Sequence, residues 1–163
     1  MPRRQPAGPL PVVNTQLWIA RPSHPLASLA AILQSPEKDA RMNRSEALSL
    51  LQSKVTNQNL IKHSLAVEAI MRALARHFDE DVELWGLAGL LHDIDYDITK
   101  DDPATHSKLG AEMLAALDLD PRIVYAVRAH NDYHGDPRNS LLDRSLFCCD
   151  PLTGLITAGA LIR

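Results

Sequence analysis

The run Gly86-Leu87-Ala88-Gly89-Leu90-Leu91-His92-Asp93, GLAGLLHD, ends an apolar stretch on a histidine and a carboxylate. Together with Asp81-Val82-Glu83-Leu84-Trp85 before it, this stretch predicts a helix that opens at Asp81 and is apolar almost all round, as befits a helix surrounded by its neighbours. An unpaired carboxylate at the end of such a helix costs several kcal/mol, whereas coordination to a cation neutralises it. The pair His92-Asp93 is therefore the first place to look for chemistry.

On either side of this run the chain reads as further helices. Asn43 with Glu46 forms a capping box for a helix through Leu48, Leu50 and Leu51. Asn57 or Asn59 caps the next, whose residues Leu60, His63, Val67, Ile70 and Leu74 follow steps of three and four along one face. A helix after Pro103 carries His106, Gly110 and Met113 on one side. Asp120-Pro121 opens another, with Ile123, Val127 and His130 along one face. A further helix runs from near Ser140 to Asp150, and a short apolar one from Pro151 to the C-terminus. No segment alternates with period two, so the expected fold is all-α, an irregular bundle of about six to seven helices. Proline crowds residues 1–41, where no period survives, so this part reads as a proline-rich tail, flexible or a start-site extension, with the domain at 42–163. The apolar TGLITAGALIR lacks a C-cap signal, and the chain is expected to continue beyond it.

Composition narrows the function classes. Lys plus Arg number 17 against 20 Asp plus Glu, a net charge of -3, which gives no reason to expect a nucleic-acid partner. With 2 Trp, 3 Tyr and 2 Phe there is no stacking platform for single strands. Cys148 and Cys149 are adjacent, which suits neither a long-range disulfide nor a CxxC site; they read as buried small apolar residues in a reducing cytoplasm. No apolar stretch is long enough to span a membrane. An EF-hand reading of DIDYD from Asp93 fails, because Ile98 stands where the loop needs Gly and Ala104 where it needs Glu. Dinucleotide, P-loop and serine-hydrolase motifs are absent.

His63 and His130 sit on the apolar faces of their helices, and His106 on the inner side of its own. One such histidine is ordinarily a satisfied core residue. Several of them converging with His92 and Asp93 on faces a bundle must bury point to a metal site, since bundle interiors are where facing helices build them. These residues resemble a known family. KHSLAVEAIM with His63, GLLHDIDYD with His92 and Asp93, and the distant Asp150 in CCDPLTGLI are similar to the HD-domain superfamily of metal-dependent phosphohydrolases, particularly its small single-domain, HDIG-like members. The resemblance runs from about Met42 to the C-terminus. It implies a divalent cation held by His63, His92, Asp93 and Asp150. Members with two metals add histidines from the helices between, and His106 in THSKLG and His130 in AVRAHN occupy matching places. Where the related HD-GYP members have a His-His pair this chain has Ala129-His130, so the resemblance leaves one ion or two open. Asp150 before Pro151 also fits an ordinary helix start.

A site rich in nitrogen and oxygen donors suits Mn, Fe, Ni, Mg or Zn without choosing among them. The reaction expected of it is hydrolysis of a phosphate ester, a small phosphorylated metabolite or nucleotide, by a metal-activated water. Asp93 would orient that water, while Lys108, His134 or Arg138 would offset charge on the phosphate; Lys108 and Asp97 are also candidates for the layer behind the ligands. The alternative is a non-catalytic HD module that binds metal or nucleotide in a regulatory or interaction role. A small phosphorylated substrate is the expected partner, a membrane is not, and self-association is left open.

Overall fold

The fold, a computed structural model, describes residues 42–161, and among these it contains seven α-helices, one 3-10 turn and no strand. The predicted tail, residues 1–41, lies outside the described residues. Helix α1 (Arg44–Lys54) begins in the expected capping box, with Asn43 Oδ1 accepting the Glu46 N–H at 3.0 Å and the Glu46 carboxylate accepting the Asn43 N–H at 2.8 Å. Asn57, rather than Asn59, caps α2 (Gln58–Phe78). Asp81 caps α3 (Val82–Leu91) by accepting from Glu83 and Leu84, and every residue from Leu84 to Leu91 is buried. The all-round apolar helix is thus central, packed on α1, α2 and later helices.

The face that α2 buries differs from the one its periodicity predicts. Its fully enclosed residues are Ile61, Ser64, Val67, Glu68, Met71 and Ala75, with Leu60, Ile70 and Leu74 only partly covered. A glutamate in that stripe breaks the apolar signal. Glu68 is tolerated because Arg44 and Arg72 both reach it, at 2.7 and 2.8 Å, and Arg72 goes on to Glu83 at 2.6 Å, tying α1, α2 and α3 together. At Gly89 helices α2 and α3 approach so closely that a Cβ would stand 3.0 Å from the Glu68 backbone.

Beyond α3 the chain turns through His92 to Asp95 into a single-turn helix, α4 (Tyr96–Thr99), which is too short to leave a period in the sequence. Helix α5 (Lys108–Ala115) starts two residues after His106 instead of near Pro103, leaving that histidine on the loop before it. Helix α6 (Pro121–Ala129) opens on the Asp120-Pro121 signature, with Asp120 accepting from the Arg122 N–H, and delivers His130 at its end. A 3-10 turn (Asp132–His134) follows.

The last two predicted helices are one, α7 (Leu141–Leu161), with Pro151 inside it. Asp-Pro looks locally like a helix start, but Leu142, Leu146, Cys149 and Thr153 continue one buried stripe through it in steps of four, three and four. Packing overrides the proline. Of the two cysteines only Cys149 is buried, while Cys148 is exposed on the other side of the helix. Among the described residues no helix is long and apolar enough to cross a membrane.

Candidate metal centre

Four helices and one loop bring the six proposed ligands together. His63 projects from the second turn of α2, His92 and Asp93 directly follow α3, His106 lies ahead of α5, His130 caps the end of α6, and Asp150 sits beside the proline of α7. Asp93 stands between two groups. Its Oδ2 is 3.3 Å from His92 Nε2 and 3.7 Å from His63 Nε2; its Oδ1 is 3.4 Å from His106 Nε2 and 3.5 Å from His130 Nε2. Asp150 Oδ1 closes the first group, 3.1 Å from His63 Nε2 and 3.7 Å from His92 Nε2. The donors fall into two sets with metal-binding spacing, His63, His92 and Asp150 on one side and Asp93, His106 and His130 on the other.

The outer nitrogens of the same rings are all spoken for. His92 Nδ1 donates to the Gly89 carbonyl at 2.8 Å, and His130 Nδ1 to the Val127 carbonyl. His63 Nδ1 lies 2.7 Å from Thr153 Oγ1, whose own proton goes to the Asp150 carbonyl. His106 Nδ1 is 3.2 Å from both Thr99 Oγ1 and Asp95 Oδ1. With Nδ1 tied to an acceptor, each ring in its neutral, metal-binding form is held in the tautomer that presents a free Nε2 lone pair, and all four Nε2 atoms face Asp93. Metal-binding histidines are typically fixed in this way.

Electrostatics mark the cage as one unit. Burial alone would push the His92 pKa down, yet Asp93 and Asp150 outweigh it and hold it well above the usual histidine range. His106 is carried up to about 9 by Asp93 and Asp95 against the same burial penalty. Burial would raise Asp93, but the charge on His92 and hydrogen bonds from His106, His130 and His92 keep it well below the ordinary carboxylate range; Asp150 is lowered likewise by His63 and His92. Such mutual dependence in a water-poor site is what a dication replaces when these donors bind it. The donor set fits a divalent cation.

A cavity of about 310 Å³ opens onto the cage, lined among others by His106, His130, Asp150, Asn131 and Phe147. It touches both donor sets. The three cationic or acid-base candidates behave differently from the ligands. Arg138 is bound to Asp132 at 2.8 Å and to the Ala129 carbonyl at 3.1 Å, and its guanidinium lies 3.5 Å over the Phe147 ring. His134 Nε2 donates to the His106 carbonyl at 2.7 Å, so it braces the loop that carries His106. Lys108 is half-buried at the start of α5, and the structure gives it no hydrogen bond or ion pair to the cage. Asp97 faces away, accepting from the Thr56 N–H and hydroxyl at 2.6 and 2.8 Å between α1 and α2. Sequence reasoning missed Asp95, Thr99 and Thr153, the groups behind the histidines. Asp95 had surfaced only as the third position of the discarded EF-hand loop, and nothing in its spacing distinguishes it.

Comparison with known proteins agrees with this geometry. The family model described as HD domain matches residues 60–154, from the start of α2 to just past Asp150. Among curated proteins the chain is similar to Ribonuclease Y of Lawsonia intracellularis, 31% identical over 84 residues, and to that of a Sulfurovum species, 30% over 103 residues. It is 38% identical over 79 residues to Ribonuclease Y 2 of Pediococcus pentosaceus. These matches cover 52%, 63% and 48% of this chain but only 16%, 20% and 15% of the relatives' length. No solved structure matches.

Proposed function

Because the chain belongs to the HD-domain family, we propose that the cage is the catalytic centre of a metal-dependent phosphohydrolase that cleaves a small phosphate ester and uses two divalent ions. What carries this reading is the convergence of four Nε2 atoms on the two oxygens of Asp93, each ring locked from behind. His63, His92 and Asp150 would hold one ion, His106 and His130 the other, with Asp93 between them. A dication supplies Lewis acidity, acidifying water and polarising a phosphoryl oxygen.

Formal charge supports two ions rather than one. Asp93, Asp95 and Asp150 bring three negative charges, so with neutral histidines one dication leaves the cage at -1 and two bring it to +1. Arg138 is already engaged by Asp132 and Phe147, and Lys108 has no bond to the site, so the positive charge that attracts phosphate is best supplied within the cage. In this reading Asn131 forms part of the pocket wall and donates to the Pro103 and His106 carbonyls, fixing the loop that places His106, while Arg138 over the Phe147 ring and His134 on the His106 carbonyl brace lining residues. Asp93, kept ionised by His92, His106 and His130, would position the attacking water, and the pocket beside Phe147 would receive the leaving group.

Ribonuclease Y carries RNA in its name, and a phosphodiester substrate is the variant of this proposal its likeness suggests. The decisive experiment determines metal content and then measures hydrolysis of phosphomonoesters, nucleotides, phosphodiesters and a short RNA with Mn, Fe, Ni, Mg and Zn in turn. Turnover that requires metal supports the proposal. Metal uptake with no turnover on any substrate favours instead a non-catalytic metal-binding module.

A further inference from the structure

Asp95 is completely buried, two residues past the cage and outside the set of proposed ligands. Its Oδ2 accepts two backbone N–H groups, Ser107 at 2.8 Å and Gly110 at 3.0 Å, from the start of α5. Its Oδ1 makes no hydrogen bond of its own and stands 3.2 Å from His106 Nδ1. Three further features are shaped around this carboxylate. Ser107 adopts φ 69, a backbone conformation side chains other than glycine rarely take, in the residue that turns its N–H to Asp95. Gly110 leaves the room, since a Cβ there would lie 3.2 Å from both Asp95 Cγ and Oδ1. Thr99 donates its hydroxyl to the Asp95 carbonyl at 2.9 Å and offers its oxygen to His106 Nδ1.

From this arrangement we infer that Asp95 is a positioning residue that holds His106 in the tautomer needed to bind the second ion. The inference rests on the two-ion reading above. In the neutral form of His106 that binds an ion the proton sits at Nδ1, where Thr99 accepts it and the Asp95 carboxylate stabilises it, and Nε2 is left bare toward Asp93 Oδ1. His92 and His130 have backbone carbonyls for this purpose, and His63 a threonine; His106 alone has a buried carboxylate behind it. The second donor set therefore depends on one side chain in a way the first does not.

Asp95→Asn separates this role from simple capping of α5. The amide oxygen still accepts from Ser107 and Gly110, which keeps the cap, and that orientation turns the amide NH2 toward His106 Nδ1. Two N–H groups cannot face each other, so the ring must move its proton to Nε2 or swing away. Titrating wild type and variant with Zn²⁺, and counting bound zinc after gel filtration, should give two ions per chain for wild type, with affinity for the second reduced 10- to 100-fold in Asp95→Asn and the first unaffected. A variant that binds the second ion as wild type does overturns the role of Asp95 while leaving the two-ion reading intact. A wild-type chain that binds only one ion sinks that reading and this inference with it. Should Asp95→Asn fail to fold, nitrogen-15 histidine spectra of zinc-loaded wild type decide alone: a protonated Nδ1 and metal-bound Nε2 on His106 are required, and the reverse pattern refutes the assignment.

Discussion

Asp93 bears the largest share of the argument at the scale of single residues. It is almost fully buried, faces four histidines and has no lysine or arginine among its ion-pair partners. Asp93→Asn keeps its shape and removes its charge, so hydrolysis of whichever phosphate ester proves to be the substrate should fall by about a hundredfold or more. Once the metal-free histidines have lost their charge, above about pH 9, the same change relieves a buried carboxylate, so there the chelated variant should melt no lower than chelated wild type; at neutral pH only wild type should gain from added metal. Melting curves with and without chelator check this; a variant destabilised equally in both conditions, with unchanged metal content, would show Asp93 to be structural. The histidines set the pH response. With metal removed, His106 titrates at about 9 and His92 well above its ordinary value, against about 6.5 in the unfolded chain. Folded pKa values raised above unfolded ones stabilise fully below about pH 6.5, and that stabilisation disappears as pH climbs through about 9. Chelated protein should therefore melt at lower temperature as pH rises across this window. Metal-loaded protein should respond oppositely, since only deprotonated histidine binds, so the gap between loaded and chelated melting points should widen with pH.

Among elements, the junction of α1, α2 and α3 is held by charge inside a core that is otherwise apolar. Glu68 has only 4% of its side-chain surface in water and receives both Arg44 and Arg72, of which Arg72 is 14% exposed and Arg44 48%. Glu68→Gln keeps the volume and leaves two guanidinium groups facing a neutral partner. Because Arg44 can turn to water and Arg72 retains Glu83, the loss should be about 2 kcal/mol, below the range for a fully enclosed pair. Urea denaturation measures it directly, and a loss within a few tenths of a kcal/mol would mean the network is ornamental. Since α2 carries His63 and α3 carries His92 and Asp93, the same substitution is expected to loosen the first metal site as well, visible as weaker binding of the first zinc ion.

For the whole molecule, the cage draws its ligands from α2, α3, α6, α7 and the loop before α5, so an ion bound there cross-links segments far apart in the chain. Binding to the folded state alone stabilises in proportion to the logarithm of ion concentration over its dissociation constant. Chelation at neutral pH should accordingly lower the melting temperature by several degrees, and if Mn, Fe, Ni, Zn and Mg all fail to restore it the site is wrongly assigned. The segment before Met42 is proposed to be dispensable. A chain starting at Met42 should unfold cooperatively within a few degrees of the full chain, and loss of cooperativity would place residues 1–41 in the core.

Local chemistry was enough to announce the helices whose ends carry their own caps. Asn43 with Glu46, Asp81, and Asp120 with Pro121 satisfy backbone groups within a few residues, so the sequence contains the whole interaction. The apolar run into His92-Asp93 likewise declared a buried helix ending in a charge, the helix faces singled out His63, His106 and His130, and the family resemblance supplied Asp150 and the reading of the set as ligands. The rest depended on partners distant in the chain. Glu68 could enter the core only because Arg44 arrives from another helix, which rotated the buried face of α2 away from its apolar period. Pro151 could be swallowed by α7 because the packed stripe from Leu142 to Thr153 outweighs the hydrogen bond it removes. Arg138, free in the sequence, is engaged once Asp132 and Phe147 fold around it, and Asp95, one acid among several, becomes the support of His106. A sequence shows which groups can ionise or coordinate; which of them face one another, and which are consumed by neighbours before a substrate arrives, is settled by where the folded chain puts the other partner.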